Sequence, residues 1–441
     1  MQVMKWSVIA LAVAAGTSQM AVASSQSESN GFIEDSSFNI FNRVLYMNRD
    51  FKNGAANGAS DSANPAGYRE ETGLGIRLLF ESGFTQGTVG VGVDAHSLSS
   101  IKLDSGNGRF GTGQFAQTDD GSGDDTQSEV GGAIKFRVSD TVLKHGNMMI
   151  DTPVFSTDDS RILPEVATGT SLVSNEIEGL ELTAGRFTAI SDQVQTGRDS
   201  IVIEDFNEDP VKLKSINLVG ASYSFTDNFS GALFAADTDD VFKKYYGNLN
   251  YNLPLAEEQA LNFDLNAYRT KDDGQKLAGD VDNKIWSLAV AYSLGAHKFT
   301  LAHQRSSGDS AYAYGIDGNG TIWLANSVQY SDFNAPNERS VQIRYDLNMK
   351  HYGVPGLTFM ARYIKGDDID GTKADPNGAF AGWAGEDEKH WERDLEARYV
   401  FQEGAAKDLS LRLRHATHRS TAFDDDLDEV RLIIEYPLSI L

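Results

Sequence analysis

Apolar and polar side chains alternate with a period of two along most of the chain. This period is typical of β-strands, because successive side chains of a strand point to opposite faces of the sheet. In "VGVGVDAHSL", for example, Val89, Val91 and Val93 share one face, while Gly92 and Asp94 share the other. No helical period of comparable length appears, and proline stands mostly in connections. The pattern predicts an all-β protein.

The last stretch, "EVRLIIEYPLSIL", has the same two faces. Val430, Leu432 and Ile434 point one way, and Arg431 and Glu435 point the other way. A strand that is apolar on one face and charged on the other suits a sheet with lipid on one side and water on the other. The same alternation marks "IWSLAVAYSL", "LNFDLNAY", "SVQIRYDL" and "LSLRLRHA".

The connections between the candidate strands alternate strictly between short and long. The short ones are "SGFTQG", "SD", "EIEG", "TDN", "PLAEEQ", "LGAH", "HYGVPG" and "QEGAAKD". The long ones span residues 50–68, 99–127, 151–168, 190–210, 305–337 and 365–390, with shorter members near Thr238, Gly274 and Ala422. Soluble β-sandwiches have no reason to sort their loops in this way. The pattern predicts a transmembrane antiparallel up-and-down β-barrel of about 18 strands, whose last strand pairs with the first.

The composition of the chain excludes several classes of function. The chain has 441 residues, no cysteine and a formal net charge of -25. Disulfides, zinc–thiolate sites and thiol nucleophiles are therefore excluded, and the acidic balance argues against binding to nucleic acid. Many of the acids fall in long loops, in "TDDGSGDD", "GDDID" and "FDDDLDE".

The N-terminus has the pattern of a secretory signal. Lys5 precedes the apolar run "WSVIALAVAAG", and "AVA" provides a small-residue cleavage site. We expect residues 1–23 to be a signal peptide and residues 24–441 to form one barrel domain in the bacterial outer membrane.

Basic side chains are predicted to line one part of the barrel interior. Placing each strand's apolar face on lipid turns these basic residues inward: Arg43, Arg77, Lys135, Arg137, Arg344, Arg362, Arg398, Arg412, Arg414 and Arg431. The tenth to twelfth strands show asparagine, aspartate and serine inward and no arginine or lysine. A row of guanidinium groups offers an anion successive bidentate partners. The alternative is that these arginines are scaffolding, paired with inward acids such as Asp94, Asp346, Glu396 and Glu435.

Two loops are expected to fold into the barrel and narrow it. "DTPVFSTDDSRILPEVATG" carries Asp158, Asp159 and Arg161 beside the apolar Ile162 and Leu163. "WLANSVQYSDFNAPNERS" is too apolar and aromatic for an exposed loop. The alternative for the second stretch is packing against a neighbouring subunit or lipid.

No catalytic or cofactor motif is present in the sequence. There is no nucleophile elbow, paired-histidine metal motif or phosphate-binding glycine loop. His415 and His418 are three residues apart on a strand and so face opposite sides. We therefore predict no catalytic residue, no metal ligand and no cofactor.

Several stretches, in order along the chain, resemble the OprD family of substrate-specific outer-membrane porins of pseudomonad-type bacteria. They are "GFIEDSS", "NRDF", "ESGFTQGTVGVGVDA", "DDSRILP", "DNKIWSLAVAYSLGAHKFTLA", "LANSVQYSDFN", "YGVPGLTFMARYIKGDDIDGTK" and "EYPLSIL". The resemblance implies a monomeric barrel of eighteen strands with a basic track and a constriction made by inward-folded loops. It would place Arg161 in the constricting third loop, with Ser327, Tyr330 and Asp332 in the seventh loop facing it.

The expected function is passive, selective uptake of small carboxylate-bearing solutes, either amino acids or aromatic and other organic acids. The expected partners are outer-membrane lipid and lipopolysaccharide and the solutes themselves, with a monomer or weak oligomer as the assembly. Three alternatives remain at this point: a general diffusion pore, an outer-membrane barrel enzyme and a soluble secreted β-protein.

Overall fold

Alternating side chains produce strands over most of the chain. The computed structural model describes residues 25–59, 65–197, 202–203, 211–212, 214–314, 320 and 322–441, so the expected signal peptide lies outside the described residues. The strands are β1 (Ser37–Phe51), β2 (Tyr68–Glu81), β3 (Gly90–Asp104), β4 (Thr126–Val138), β5 (Thr141–Met148), β6 (Asp151–Thr152), β7 (Phe155–Ser156), β8 (Val166–Ile177), β9 (Leu180–Ser191), β10 (Val202–Ile203), β11 (Val211–Lys212), β12 (Ile216–Thr226), β13 (Phe229–Thr238), β14 (Phe242–Ala256), β15 (Gln259–Asp272), β16 (Asp282–Leu294), β17 (His297–Ser307), β18 (Arg339–Asn348), β19 (Leu357–Asp370), β20 (Glu386–Val400), β21 (Ser410–Ser420) and β22 (Leu427–Ser439).

Eighteen of these strands form one closed antiparallel barrel. Each barrel strand pairs with the next barrel strand along the chain, and β22 pairs with β1, from Asn39↔Ser439 to Phe51↔Leu427. Closure leaves no strand edge with unpaired backbone groups, which is what a β-structure in lipid requires. The two remaining short hairpins, β6–β7 and β10–β11, lie in loops. The predicted barrel and its terminal pairing are confirmed.

The loop lengths follow the predicted parity. All connections at one end of the barrel are short, and those at the other end include the long ones. We number the connections at the long end in chain order: L2 is residues 105–125, L3 is 149–165, L7 is 308–338 and L9 is 421–426. In outer-membrane barrels the short turns are periplasmic and the long loops extracellular.

The outer surface carries exposed apolar side chains, among them Leu233, Leu249, Leu288, Leu301 and Ile343. The inner surface is polar. On β22, Arg431 is buried inside while Leu432 is exposed outside, as predicted, and Glu429 is buried inside as well. Among the described residues, no helix is long and apolar enough to cross a bilayer.

The hydrophobic core lies inside the barrel, where loops pack on the inner wall. Ile162 and Leu163 of L3 pack with Leu45, Leu98 and Phe115. Nearer the start of L3, Phe155 packs against Phe187 of β9 in a tilted arrangement, with ring centroids 4.8 Å apart. L3 therefore contacts both the β1–β3 wall and the wall that contains β9, so it crosses the lumen.

L7 also packs inward. Its residue Leu324 joins the same internal cluster as Phe155, and the Ala325 amide donates a hydrogen bond to Ser287 Oγ on β16. Asn326 donates to Ser340 on β18 at 2.8 Å. The expectation that two loops fold into the barrel is borne out for these segments. Their apolar side chains pack against the inner wall, and their polar groups form hydrogen bonds with it.

Candidate functional site

Three pairs of arginines face each other across neighbouring strands. The strand register sets Arg344 opposite Arg362, Arg398 opposite Arg412 and Arg414 opposite Arg431. Like charges directly opposite each other in a sheet are destabilising. Three such pairs on the contiguous strands β18–β22 are therefore an arrangement that folding alone does not favour. We call these six arginines the basic wall.

Carboxylates offset part of this charge. Glu396 is shared by Arg412 and Arg414, at 2.7 and 3.3 Å. Asp394 pairs with Arg362 at 2.5 Å, and Asp346 with Arg344 at 2.6 Å. Glu429 pairs with Arg431 at 2.6 Å. The scaffolding interpretation is thus correct for part of the charge, since these arginines have acid partners on the wall itself.

Arg398 and Arg161 have no such partner on the wall. In the part of the chain that the structure describes, neither Arg398 nor Arg161 forms an ion pair with a carboxylate. Arg398 donates to Ser410 Oγ at 3.1 Å, and Arg161 donates through Nε to the Thr112 carbonyl at 2.7 Å. Their remaining N–H donors are the groups best placed to bind an anion.

Arg161 stands at the point where L3 meets the basic wall. Burial and the nearby positive charge of Arg431 lower the pKa of Arg161 to about 10. Arg161 therefore remains protonated at neutral pH and adds a fixed positive charge beside the wall. Arg49, on β1, also lies near enough to lower this pKa.

Arg43 and Arg77 serve a different purpose. Both are 4% exposed, and both bond to the carboxylate of Asp159 in L3, at 2.8 Å in each case. Arg43 also donates to the Arg161 carbonyl at 2.5 Å, and Arg77 to the Ile162 carbonyl at 3.2 Å. These two arginines hold L3 against the inner wall.

Lys135 and Arg137 lie towards the short-turn end. Lys135 pairs with Asp94 at 2.6 Å. Arg137 donates to Gln26 Oε1 at 2.9 Å, and its guanidinium stands 4.2 Å from the Phe84 ring centroid. Arg137 is thus engaged by the segment that precedes β1 rather than by L3 or L7.

The L7 residues singled out by the sequence form a polar group opposite L3. Ser327 Oγ donates to Asp332 Oδ1 at 2.5 Å. Burial raises the pKa of the Asp332 carboxyl, hydrogen bonds from Ser327 and Tyr314 lower it, and the charge of Asp158 in L3 raises it further. The carboxylates of Asp158 and Asp332 therefore lie within electrostatic reach of each other, and Asp158 is also within reach of Arg161.

Tyr330 bridges L7 to the strand wall. Its hydroxyl donates to Asp424 at 2.9 Å, and the Arg49 guanidinium stands 5.0 Å from its ring centroid. Its backbone N–H donates to Glu392 at 2.9 Å. These bonds place Tyr330 between L9 and the arginines.

The sequence reasoning missed some inward cations. Arg49 pairs with Glu429 at 2.7 Å and has the same strand parity as Arg43, so the alternation could have identified it. Lys244, on the tenth barrel strand, is buried with its ammonium 4.7 Å from the Tyr312 ring centroid. The expectation of no inward arginine or lysine on strands ten to twelve is therefore wrong at Lys244. L7 covers the loop end of that wall, and its Tyr312 supplies an aromatic partner for the buried ammonium.

A closed barrel of eighteen strands with exposed apolar residues outside, polar residues inside and loops folded into the lumen defines an outer-membrane porin. The sequence model of one protein family, described as outer membrane porin, OprD family, matches residues 30–440 of the chain. The chain belongs to this family.

Individual porins are similar to this chain in sequence and in fold. The chain is 49% identical to Porin D of Pseudomonas aeruginosa, with 100% of both chains covered. Its fold matches the crystal structure of P. aeruginosa OprD with a TM-score of 0.81 at 46% identity, covering 95% of this chain and 99% of that one. It matches P. aeruginosa OpdK, solved with vanillate, with a TM-score of 0.81 at 33% identity, covering 93% and 100%. The protein is a substrate-specific channel of the bacterial outer membrane, and its relatives are porins, not enzymes.

Proposed function

We propose that the channel admits small carboxylate-bearing solutes, either amino acids or aromatic and other organic acids. The observation that carries this proposal is the set of three opposed arginine pairs, because four carboxylates offset the charge of six arginines only in part and a bound anion relieves the remaining repulsion. Arg398 and Arg161, without acid partners of their own, would provide free donors along the path. Vanillate, with which the OpdK structure was solved, is an aromatic carboxylate.

Positive and negative side chains both lie near the gap between L3 and L7, which supports amino acids as the solutes within this class. Arg161 and Asp158 both lie in L3, and Asp332 of L7 lies within electrostatic reach of Asp158 across the gap between the two loops. An α-carboxylate facing Arg161 and an α-ammonium facing the acids would satisfy both groups at once. Ser327, which donates to Asp332, would hold that carboxylate in position, and Tyr330 would fix L7 to the strand wall.

The test compares uptake of labelled benzoate, labelled arginine and a labelled neutral sugar by proteoliposomes. The variant is Arg398→Gln, which removes a guanidinium without leaving a carboxylate unpaired. A charge-assisted hydrogen bond contributes roughly 1.5–3 kcal/mol, so we expect benzoate uptake at low concentration to fall about tenfold while sugar uptake is unchanged.

The control is Arg339→Gln, an exposed arginine at the loop end that pairs with Asp367 at 2.9 Å. It should leave all three rates unchanged. Unsaturable uptake of all solutes, with the same rates in Arg398→Gln, would identify a general diffusion pore whose arginines are scaffolding. A parallel fall for sugar and benzoate would mean that the substitution deforms the channel.

A further inference from the structure

Two buried histidines meet at the loop end of the barrel, apart from the basic wall. His390 lies on β20 and His418 on β21, and their side chains are 3% and 0% exposed. His390 Nδ1 and His418 Nε2 are 2.9 Å apart. Asp424 of L9 completes the group, with Oδ2 3.7 Å from His418 Nε2.

In each ring, the outer nitrogen, which faces away from the other ring, decides the protonation of the nitrogen that faces that ring. His390 Nε2 is 2.8 Å from Glu338 Oε1, and His418 Nδ1 is 2.7 Å from the Asp425 carbonyl. A carboxylate and a carbonyl accept hydrogen bonds, so each outer nitrogen carries the proton. In the neutral tautomers, the two nitrogens that face each other then both present lone pairs. Two lone pairs at 2.9 Å repel each other unless a proton or a metal ion lies between them.

The three ligand atoms lie close enough together for one metal ion to bind all of them. Zinc–nitrogen bonds of about 2.0 Å in a tetrahedron separate neighbouring ligand atoms by about 3.3 Å. The nitrogens are 2.9 Å apart, the His418 nitrogen is 3.7 Å from the carboxylate oxygen, and all three ligand atoms lie within 4.8 Å of one another. A small movement of the partly exposed Asp424 towards the two rings brings the three atoms to the tetrahedral spacing. Two imidazoles and one carboxylate also form a common zinc ligand set, which leaves a fourth position for water.

The residues around the two histidines resemble those around metal-binding histidines in other proteins. The Glu338 carboxylate on His390 and the backbone carbonyl on His418 are the outer partners that orient metal-bound histidines. Gly366 leaves room for them, because a Cβ there would lie 2.0 Å from Glu338 Oε1. The Glu338 Oε2 atom accepts from the Ala335 amide at 2.9 Å, so the carboxylate is held in place.

An entry path exists on the loop side. Asp424 is 28% exposed and belongs to the acidic run "FDDDLDE" in L9 and the start of β22. Such a run raises the local concentration of cations. An ion that arrives from this side meets Asp424 first and the two histidines behind it.

We propose that His390, His418 and Asp424 bind a divalent transition-metal ion of the zinc type. The ion joins β20, β21 and L9 at one point. Through Glu338 at the end of L7 and through Tyr330, which bonds to Asp424 and packs on the His418 ring at 4.8 Å, it also fixes the L7 segment that faces L3. The site is independent of the proposed substrate class.

The experiment titrates Zn²⁺ into the full chain, purified without a histidine tag, freed of metal and folded in detergent, with binding followed by calorimetry. Wild type should bind one Zn²⁺ per chain. Asp424→Asn should weaken binding at least about tenfold, and His418→Gln should abolish the stoichiometric step. Co²⁺ in place of Zn²⁺ should give the intense visible absorption of a four-coordinate ion.

The matched control is Asp425→Asn, which removes the neighbouring charge but keeps the backbone carbonyl that bonds to His418. It should bind as wild type does. Heat-dependent mobility on a gel verifies that each variant is a folded barrel. Absence of a one-to-one step in wild type, equal weakening by Asp425→Asn, or full affinity in folded His418→Gln would each overturn the proposal.

Discussion

At the scale of single residues, the partner decides what an arginine does. Arg43 and Arg77 look like Arg398 in the sequence, since all three are inward residues on strands. Asp159 turns the first two into anchors for L3, whereas Arg398 donates to a serine hydroxyl and has no carboxylate partner among the described residues. Only a contact from a distant loop separates the two roles.

Asp159→Asn should therefore destabilise the protein, because it leaves two buried guanidiniums short of a carboxylate. Breaking a buried ion pair costs about 3–5 kcal/mol, and we expect the lower end since Glu435 still pairs with Arg43 at 2.8 Å. Urea unfolding of the detergent-folded protein measures the loss.

Asp120→Asn is the control for this change, because Asp120 lies exposed in L2 and its carboxylate accepts hydrogen bonds from the nearby Thr118 and Ser122. Coincident unfolding curves for wild type and Asp159→Asn would show that the anchor contributes nothing to stability.

At the scale of elements, L3 depends on glycines in the strand beneath it. Gly75 on β2 lies so close to L3 that a Cβ there would stand 2.1 Å from the Ile162 carbonyl oxygen. Gly73, two residues earlier on the same face, would meet the Ile162 side chain at 2.7 Å. The strand keeps small residues where the loop docks.

Gly75→Val should release L3 while leaving the barrel intact, because valine suits a strand and only the docked loop is in the way. Overpacking of this kind costs about 1–3 kcal/mol, which lowers the occupancy of the docked state. We expect higher single-channel conductance in planar bilayers and faster tryptic cleavage at Arg161.

Gly247→Val on β14 provides the comparison, since a Cβ there would only touch Leu233 at 3.5 Å. Unchanged conductance together with unchanged tryptic cleavage in Gly75→Val would rule out a docking role for this glycine.

At the scale of the whole molecule, the barrel separates two solvents with one layer of backbone. Leu233 on β13 is 72% exposed on the outer surface. Ser222 on β12 lies at a similar depth, opposite Ala232, with its side chain on the inner face. The same substitution at these two positions thus distinguishes lipid from lumen.

Leu233→Arg should destabilise the folded barrel in lipid vesicles by about 2–4 kcal/mol, because a guanidinium near the bilayer midplane loses its hydration. Ser222→Arg should have a much smaller effect, since the lumen is wet. Guanidine titration of vesicle-folded protein measures both. Equal losses, or a larger loss for Ser222→Arg, would contradict the assignment of the two faces.

Strand alternation and loop parity were sufficient to predict the closed barrel, the pairing of its ends and the inward side of Arg412, Arg414 and Arg431. These features repeat along the chain, and the lipid environment allows few other solutions for such a pattern. The quoted motifs were sufficient to predict the family.

Other features became visible only in the tertiary structure. The capture of Arg43 and Arg77 by Asp159, the buried Lys244 under L7 and the meeting of His390 with His418 all join residues that are far apart in sequence. Alternation assigns a side chain to a face, but it carries no information about which distant loop covers that face. Strand register and loop docking make that choice, because they set which buried charges come close enough to pair.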